Sequence, residues 1–247
     1  MTYELLKIKN LTVKLKNKLI LSNINLIINS NEVHAIMGPN GSGKTTLSKA
    51  LIRHPDYTTE GEIIYKNKNI LTFSPEKCAQ EGIFLSFQNP ISIPGVTNIQ
   101  FIKSSINAIK KYKNEPLLDI TTITKIAKEK LQILNMPEEF LYRSVNEGFS
   151  GGEKKKNEIL QMLILNPDLI ILDEIDSGLD IDALKTISNI INIFKKNHKS
   201  IIIITHYKKV LEYIIPNYIH ILKDGKIIHT GNNTLAEKLE ECGYNLI

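Results

Sequence analysis

The chain has 247 residues, 42% of them hydrophobic, enough for one large domain with a sizeable buried core. Its formal charge of +5 comes from 31 basic and 26 acidic residues spread along the whole length, too mild a surplus for a dedicated nucleic-acid binder. Its two cysteines, Cys78 and Cys242, stand far apart without metal-binding spacing, which argues against a disulfide framework and against the chain itself holding a metal cluster.

The N-terminal "MTYELLKIKN" lacks the apolar core of a signal peptide. "LLKIKNLTVKL" alternates apolar and polar residues with a period of two, and "LILSNINLII" repeats the pattern after a polar break, which predicts an antiparallel hairpin. "EVHAIMG" reads as a short apolar strand ending in glycine, and "GKTTLSKALI" as a helix with Leu47, Ala50 and Leu51 on one face. From about Asn89 to Met162 strand signals nearly vanish, and "IQFIKSSINAIKKY", "ITKIAKEKLQIL" and "KKKNEILQMLIL" carry helical spacing, as expected of a helical lobe inserted into the fold. "DLIILDE" and "SIIIITH" are then continuous isoleucine-rich runs, with the helical "ALKTISNIINIFKK" between them. Such runs suit strands covered on both faces, joined by a right-handed crossover in a parallel sheet, and are far too short to cross a bilayer.

"GPNGSGKT", Gly38 to Thr45, fits G-x-x-x-x-G-K-[ST] at every fixed position, with the required strand before it and helix after it. Glycines let backbone N–H groups turn inward around phosphate at a helix N-terminus. Gly38, Pro39, Asn40, Gly41, Ser42, Gly43, Lys44, Thr45 and Thr46 are therefore the expected cradle of a nucleoside triphosphate. Lys44 would reach the β and γ phosphates, and the Thr45 hydroxyl would bind magnesium. A magnesium triphosphate also needs a carboxylate to steady the metal and a group to orient water. "LIILDE" supplies both, Asp173 for the metal and Glu174 as the base.

With these residues in place the chain resembles the ATP-binding cassette ATPases, and the resemblance rests on further motifs in the family's order. "FSGGEKK", Phe149 to Lys155, resembles the signature sequence, with Ser150, Gly151 and Gly152 as its phosphate-binding residues. Gln88 in "FLSFQNP" matches the glutamine loop, which also reaches the metal; Asp180 in "SGLD" matches the loop after the acidic pair; and His206 in "IITHY" matches the switch histidine. The resemblance implies an α/β ATP-binding cassette fold: a RecA-like, mostly parallel sheet core with an antiparallel β subdomain and an inserted helical subdomain. It also implies one cassette over 1–247, with the nucleotide-binding core in 4–88 and 163–247 and the helical subdomain in 89–162. It further implies ATP and Mg2+ as ligands, catalysis by Glu174, His206 and Lys44, and ATP-dependent pairing with a second copy, the signature of one subunit meeting the γ phosphate held by the other.

Within that family, "EGIFLSFQNPISIPGVTN", "RSVNEGFSGGEKKKNEILQM" and "LDEIDSGLDIDALK" are similar to the ATPases of the SUF iron–sulfur cluster assembly system. Glu153 stands where transporter ATPases usually have Gln. The resemblance implies SufB-like and SufD-like scaffold partners that grip the helical lobe just after Gln88, with no nucleic acid and no direct membrane insertion. The competing expectation is the ATPase subunit of a membrane transporter. The basic residues are almost all lysine, with only Arg53 and Arg143 as arginines, which reads as AT-rich codon usage. Together with the SUF resemblance it fits the stroma of an apicoplast-type plastid in an AT-rich parasite, or otherwise a bacterial cytoplasm. Two features are specific to this chain. Leu15 and neighbouring lysines stand where many relatives stack an aromatic ring on adenine, and the lysine run 154–156 either forms a solvated face or supplies Lys155 as a restraint on Glu174 in the free monomer.

Overall fold

The computed structural model describes residues 3–196 and 199–242. β1 (Glu4–Leu15) and β2 (Lys18–Asn29) form the expected hairpin, with Leu6, Ile8, Leu11 and Val13 buried. Their alternation is interrupted at Asn10, which adopts a left-handed conformation (φ 50°) at a shift of register between Ile8 and Leu11. The bulge returns Leu11 and Val13 to the buried side. β3 (Val33–Met37) is buried at all five residues and leads through the glycine loop into α1 (Lys44–Leu51). β4 (Tyr57–Tyr65) comes back to β1, and β5 (Lys68–Asn69) to β4, completing an antiparallel sheet of order β2-β1-β4-β5.

After α2 (Pro75–Gln80) and β6 (Ile83–Ser86), the chain runs through β7 (Ile93–Thr97), α3 (Asn98–Tyr112), α4 (Ile120–Ile133), β8 (Ser144–Val145) and α5 (Gly151–Leu165). The three helices lie over the segments with helical spacing. The β7–β8 pair is not anticipated by the sequence: a proline and a glycine interrupt "IPGVT", and β8 is two residues long, so neither offers a periodic signal. The remaining elements are β9 (Leu169–Asp173), α6 (Ile181–Lys196), β10 (Ser200–Ile204), α7 (Lys208–Tyr213), β11 (Tyr218–Lys223), β12 (Lys226–Gly231) and α8 (Thr234–Cys242).

The second large sheet has order β12-β11-β3-β10-β9-β6 and is parallel except for its edge strand β12. Its continuous apolar runs are explained by two covers. Val33, Ala35, Ile170, Leu172, Ile201 and Ile203 pack in one cluster with residues of α3 to α7, while Ile36, Leu169, Ile171, Ile202 and Ile204 pack with Leu47, Ala50 and Leu51 of α1 and with the antiparallel sheet. In such sheets ligands sit beyond the carboxyl ends of the strands. Here the ends of β3, β6, β9 and β10 bring the glycine loop, Gln88, the acidic pair and His206 to one edge.

Candidate active site

The glycine loop is glycine-dependent for two different reasons. A Cβ at Gly38 would come 2.0 Å from the Leu222 carbonyl oxygen, and Gly43, at φ 105°, would push one to 2.5 Å from Leu21 Cδ2. Lys44 folds back over the loop and donates to the carbonyls of Gly38 (2.9 Å) and Pro39 (3.0 Å). Burial lowers the Lys44 pKa, opposed by the nearby charges of Glu174 and Asp173. Asn40, Gly41, Gly43, Lys44, Thr45 and Thr46 line a recess whose other walls are Ile20, Gln88, Glu174 and His206. Ser42 is buried beneath the loop, its hydroxyl without a partner.

Asp173 closes β9 in a dry environment that raises its pKa. Its Oδ2 accepts from the Ser48 hydroxyl at 2.8 Å, and the Thr45 side chain is close enough to oppose the effect of burial on the Asp173 pKa. Its Oδ1 is buried with no partner at all. An orphaned carboxylate oxygen beside a threonine hydroxyl at the phosphate end of the recess fits a hydrated magnesium ion. Among the described residues no cluster of three His, Cys, Asp or Glu could hold a metal alone, so the remaining ligands of such an ion would be phosphate and water.

Glu174 is held with φ 48°, a conformation rare for a side chain of this kind, and its N–H donates to the Ile204 carbonyl at 2.9 Å. This sharp turn after β9 carries the carboxylate to the recess. Gln88 Nε2 donates to Glu174 Oε2 at 2.5 Å, and His206 Nδ1 stands 3.6 Å from Oε1, beyond hydrogen-bond distance. The His206 ring rests against Tyr207, 3.9 Å between centroids. Gln88, Glu174 and His206, from three strand ends, thus meet around the place where a terminal phosphate would lie.

The signature residues do not join them. Ser150, Gly151 and Gly152 line a separate recess with Glu153, Lys156, Gly178, Asp180 and Ala183. Ser150 caps α5 through a reciprocal pair: its hydroxyl accepts from the Glu153 N–H (3.3 Å), and Glu153 Oε2 accepts from the Ser150 N–H (2.7 Å). Asp180 caps α6 by accepting from the Ala183 N–H at 2.7 Å.

Two expectations are corrected. Lys155 does not pair with Glu174 and is not on a solvated face. It is 2% exposed, donates to the Phe87 carbonyl at 2.5 Å and lies 3.7 Å from Glu158. Its position on the inner face of α5 directs it at the segment before Gln88. Ile20, the third residue of β2, supplies the apolar wall of the recess, and Leu15, paired with Lys18 at the adjoining hairpin turn, is exposed. Sequence reasoning also missed Ser48, one helical turn after Lys44 and therefore on the same face of α1, and the buried Glu158. Asp176 was missed as well; it accepts from the Thr205 hydroxyl at 3.4 Å, and burial raises its pKa.

Comparison with known proteins agrees with this geometry. Residues 21–177 match the family described as ABC transporter. The chain is 53% identical over 243 residues to the "Probable ATP-dependent transporter ycf16" of Cyanophora paradoxa, covering 98% of this chain and 94% of that one. It is 50% identical to the "Probable ATP-dependent transporter SufC" of Escherichia coli (strain K12), covering 97% of each. Among solved structures, a dimeric ATP-binding cassette in a post-hydrolysis state bound to ADP and Pi superposes with a TM-score of 0.77 at 26% identity, over 92% of this chain and 98% of that one. The chain therefore belongs to the ABC transporter family, as an ATP-hydrolysing cassette of the SufC/ycf16 type.

Proposed function

We propose that this cassette works as a pair, two copies enclosing two ATP molecules, and that the pair drives a soluble scaffold of the SufB and SufD kind on which iron–sulfur clusters are built. The observation that carries the pairing is the separation of the two phosphate-binding elements: the recess of the glycine loop and that of Ser150-Gly151-Gly152 share no lining residue. A helix N-terminus with two glycines and a capping hydroxyl is an anion site, and one chain offers it outward, away from its own nucleotide. A second copy supplies the phosphate.

In this reading Lys44 and the loop amides hold the β and γ phosphates, and Ser150, Gly151 and Gly152 of the facing copy close on the γ phosphate. Thr45 and Asp173, together with Gln88, would hold Mg2+, and the ion would supply positive charge against the phosphate oxygens. Glu174 takes the proton of the attacking water, and His206 steadies the γ phosphate. Asp180 shapes the joint between copies. Cleavage removes the group both copies share and the halves separate. The helical subdomain, 89–162, moves with Ser150, Gly151 and Gly152 relative to the core, 4–88 and 163–247, and passes the change to the scaffold.

The scaffold role is supported by the likeness to SufC and by "GFSGGEKK". The 49% identical relative from Arabidopsis thaliana, "ABC transporter I family member 6, chloroplastic", supports a plastid stroma, of apicoplast type in an AT-rich parasite, with a bacterial cytoplasm as the other setting. The word "transporter" in the relatives' names keeps a membrane importer or exporter as the second reading. Among the described residues no helix is long and apolar enough to cross a membrane. Affinity purification from the native source separates the two. A complex stable without detergent and containing SufB-like and SufD-like chains is expected, and a detergent-dependent complex with a membrane-spanning subunit would favour transport.

A further inference from the structure

Helix α5 begins at the signature recess, and its second turn carries two buried, opposite charges. Glu158 Oε2 accepts from the Ser86 hydroxyl at 2.7 Å, and its Oε1 accepts from the Phe87 N–H at 2.9 Å. Lys155 Nζ donates to the Phe87 carbonyl at 2.5 Å and stands 3.7 Å from Glu158 Oε2. Between them in sequence, Asn157 donates to Asn98 Oδ1 (2.8 Å) and Asn146 Oδ1 (3.0 Å), anchoring the same turn to the start of α3 and the loop after β8. Both backbone polar groups of Phe87 and the side chain of Ser86 are thus held by α5. The next residue is Gln88, whose amide holds Glu174.

A buried ion pair is an inefficient source of stability, since apolar residues of similar volume commonly do as well or better. What it supplies here is direction, an acceptor for one peptide N–H and a donor for the carbonyl of the same residue. We propose that Glu158 and Lys155 are positioning residues for ATP hydrolysis: by gripping Phe87 they set where Gln88 stands, and through Gln88 they orient Glu174. Because the same rigid helix ends at Ser150-Gly151-Gly152, a displacement of α5 by an anion docking there reaches the chain's own base through three hydrogen-bonded residues. Each copy then carries a connection from its half of one composite site to the base of the other.

This rests on Glu174 as the base. The test is steady-state ATPase kinetics with Mg-ATP on the full chain, with its native partners supplied, for the wild type, Glu158→Gln, Gln88→Ala and the double variant. Glu158→Gln is expected to lower kcat about tenfold, the scale of a small misplacement of a reacting group, with KM for ATP changed less than about twofold. The double variant is expected to be no slower than Gln88→Ala alone, because Glu158 acts through Gln88. Losses that multiply in the double variant, an unchanged kcat in Glu158→Gln, or a rise in KM alone each overturn the proposal. Should Glu158→Gln misfold, the charge-free pair Lys155→Met with Glu158→Leu restores a filled core. It is expected to keep a native circular-dichroism spectrum and lose kcat, and wild-type kcat in that folded variant overturns the proposal. Glu174→Gln, measured alongside, separates the two levels: full turnover there removes the base assignment itself.

Discussion

Glu174 shows how much one backbone dihedral can decide. At φ 48° its carboxylate leaves the strand direction and meets Gln88 and His206, whereas Asp173, one residue earlier and still in the strand, stays buried against Ser48. Geometry therefore sends the two acids to different surroundings, Glu174 to the open recess and Asp173 to the buried side of α1. Replacing Glu174 with Gln keeps shape and hydrogen bonding but removes the base, and ATP turnover should fall by roughly 10²–10⁴-fold with nucleotide binding retained; phosphate release and equilibrium binding assays check the two halves. Ser48→Ala leaves a buried carboxylate short of a donor and should cost about 1–3 kcal/mol of stability by urea unfolding. The "LDE" sequence exposes both acids but not their partners. Ser48, Glu158 and Asp176 lie inside the quoted stretches but at positions to which no motif assigns a role, and what makes them matter is contact across long sequence separations, 72 residues for Glu158 and Ser86.

At the level of elements, the loop between β3 and α1 owes its shape to glycines under unequal constraint. Gly43→Ala meets both a left-handed φ and Leu21 Cδ2, while Gly41→Ala, at φ 80°, faces open space. The first should destabilise by about 1–3 kcal/mol and abolish Mg-ATP binding, and the second should cost only about 1–2 kcal/mol. Thermal unfolding with and without Mg-ATP compares them. Elements with strong periodicity were legible: the β1–β2 hairpin, β3, β9, β10 and helices α1 and α3 to α6 lie where the pattern puts them. The β7–β8 pair was not, because its pairing is made by tertiary approach and not by local alternation. The same limit hid the role of Lys155. A lysine run at a helix start looks solvated until the facing segment, Phe87 to Gln88, is known.

For the whole molecule, acid sensitivity follows from a hydrogen-bonded chain that runs through the buried His34 of β3 and His220 of β11. Glu32 Oε2 lies 3.0 Å from His34 Nε2, His34 Nδ1 lies 2.9 Å from His220 Nε2, and His220 Nδ1 lies 2.9 Å from the Thr230 hydroxyl. Burial lowers the pKa of both histidines from the ordinary 6.5, that of His220 to about 3. Between those values the unfolded chain binds protons that the folded chain refuses, so stability falls as pH drops from about 6.5 towards 3. Glu32, held low by His34 and Asn29 despite partial desolvation, adds a loss in the same direction below its ordinary 4.5. The buried carboxylates Asp173 and Asp176, whose pKa values are raised, act in the opposite direction, so the histidine contribution is read by difference. Between pH 7.5 and 4 the urea midpoint of the wild type should fall further than that of His220→Asn, and identical pH dependence in the two would remove the explanation.

The proposed pairing rests on two recesses in one chain that share no lining residue. Light scattering of the Glu174→Gln variant with Mg-ATP, with the proposed scaffold partners added in a parallel series, tests this directly. The expected result is a nucleotide-dependent doubling of the cassette, lost when Ser150 is replaced by Arg and reversed by removing ATP. A variant that binds Mg-ATP yet stays single under both conditions would contradict it.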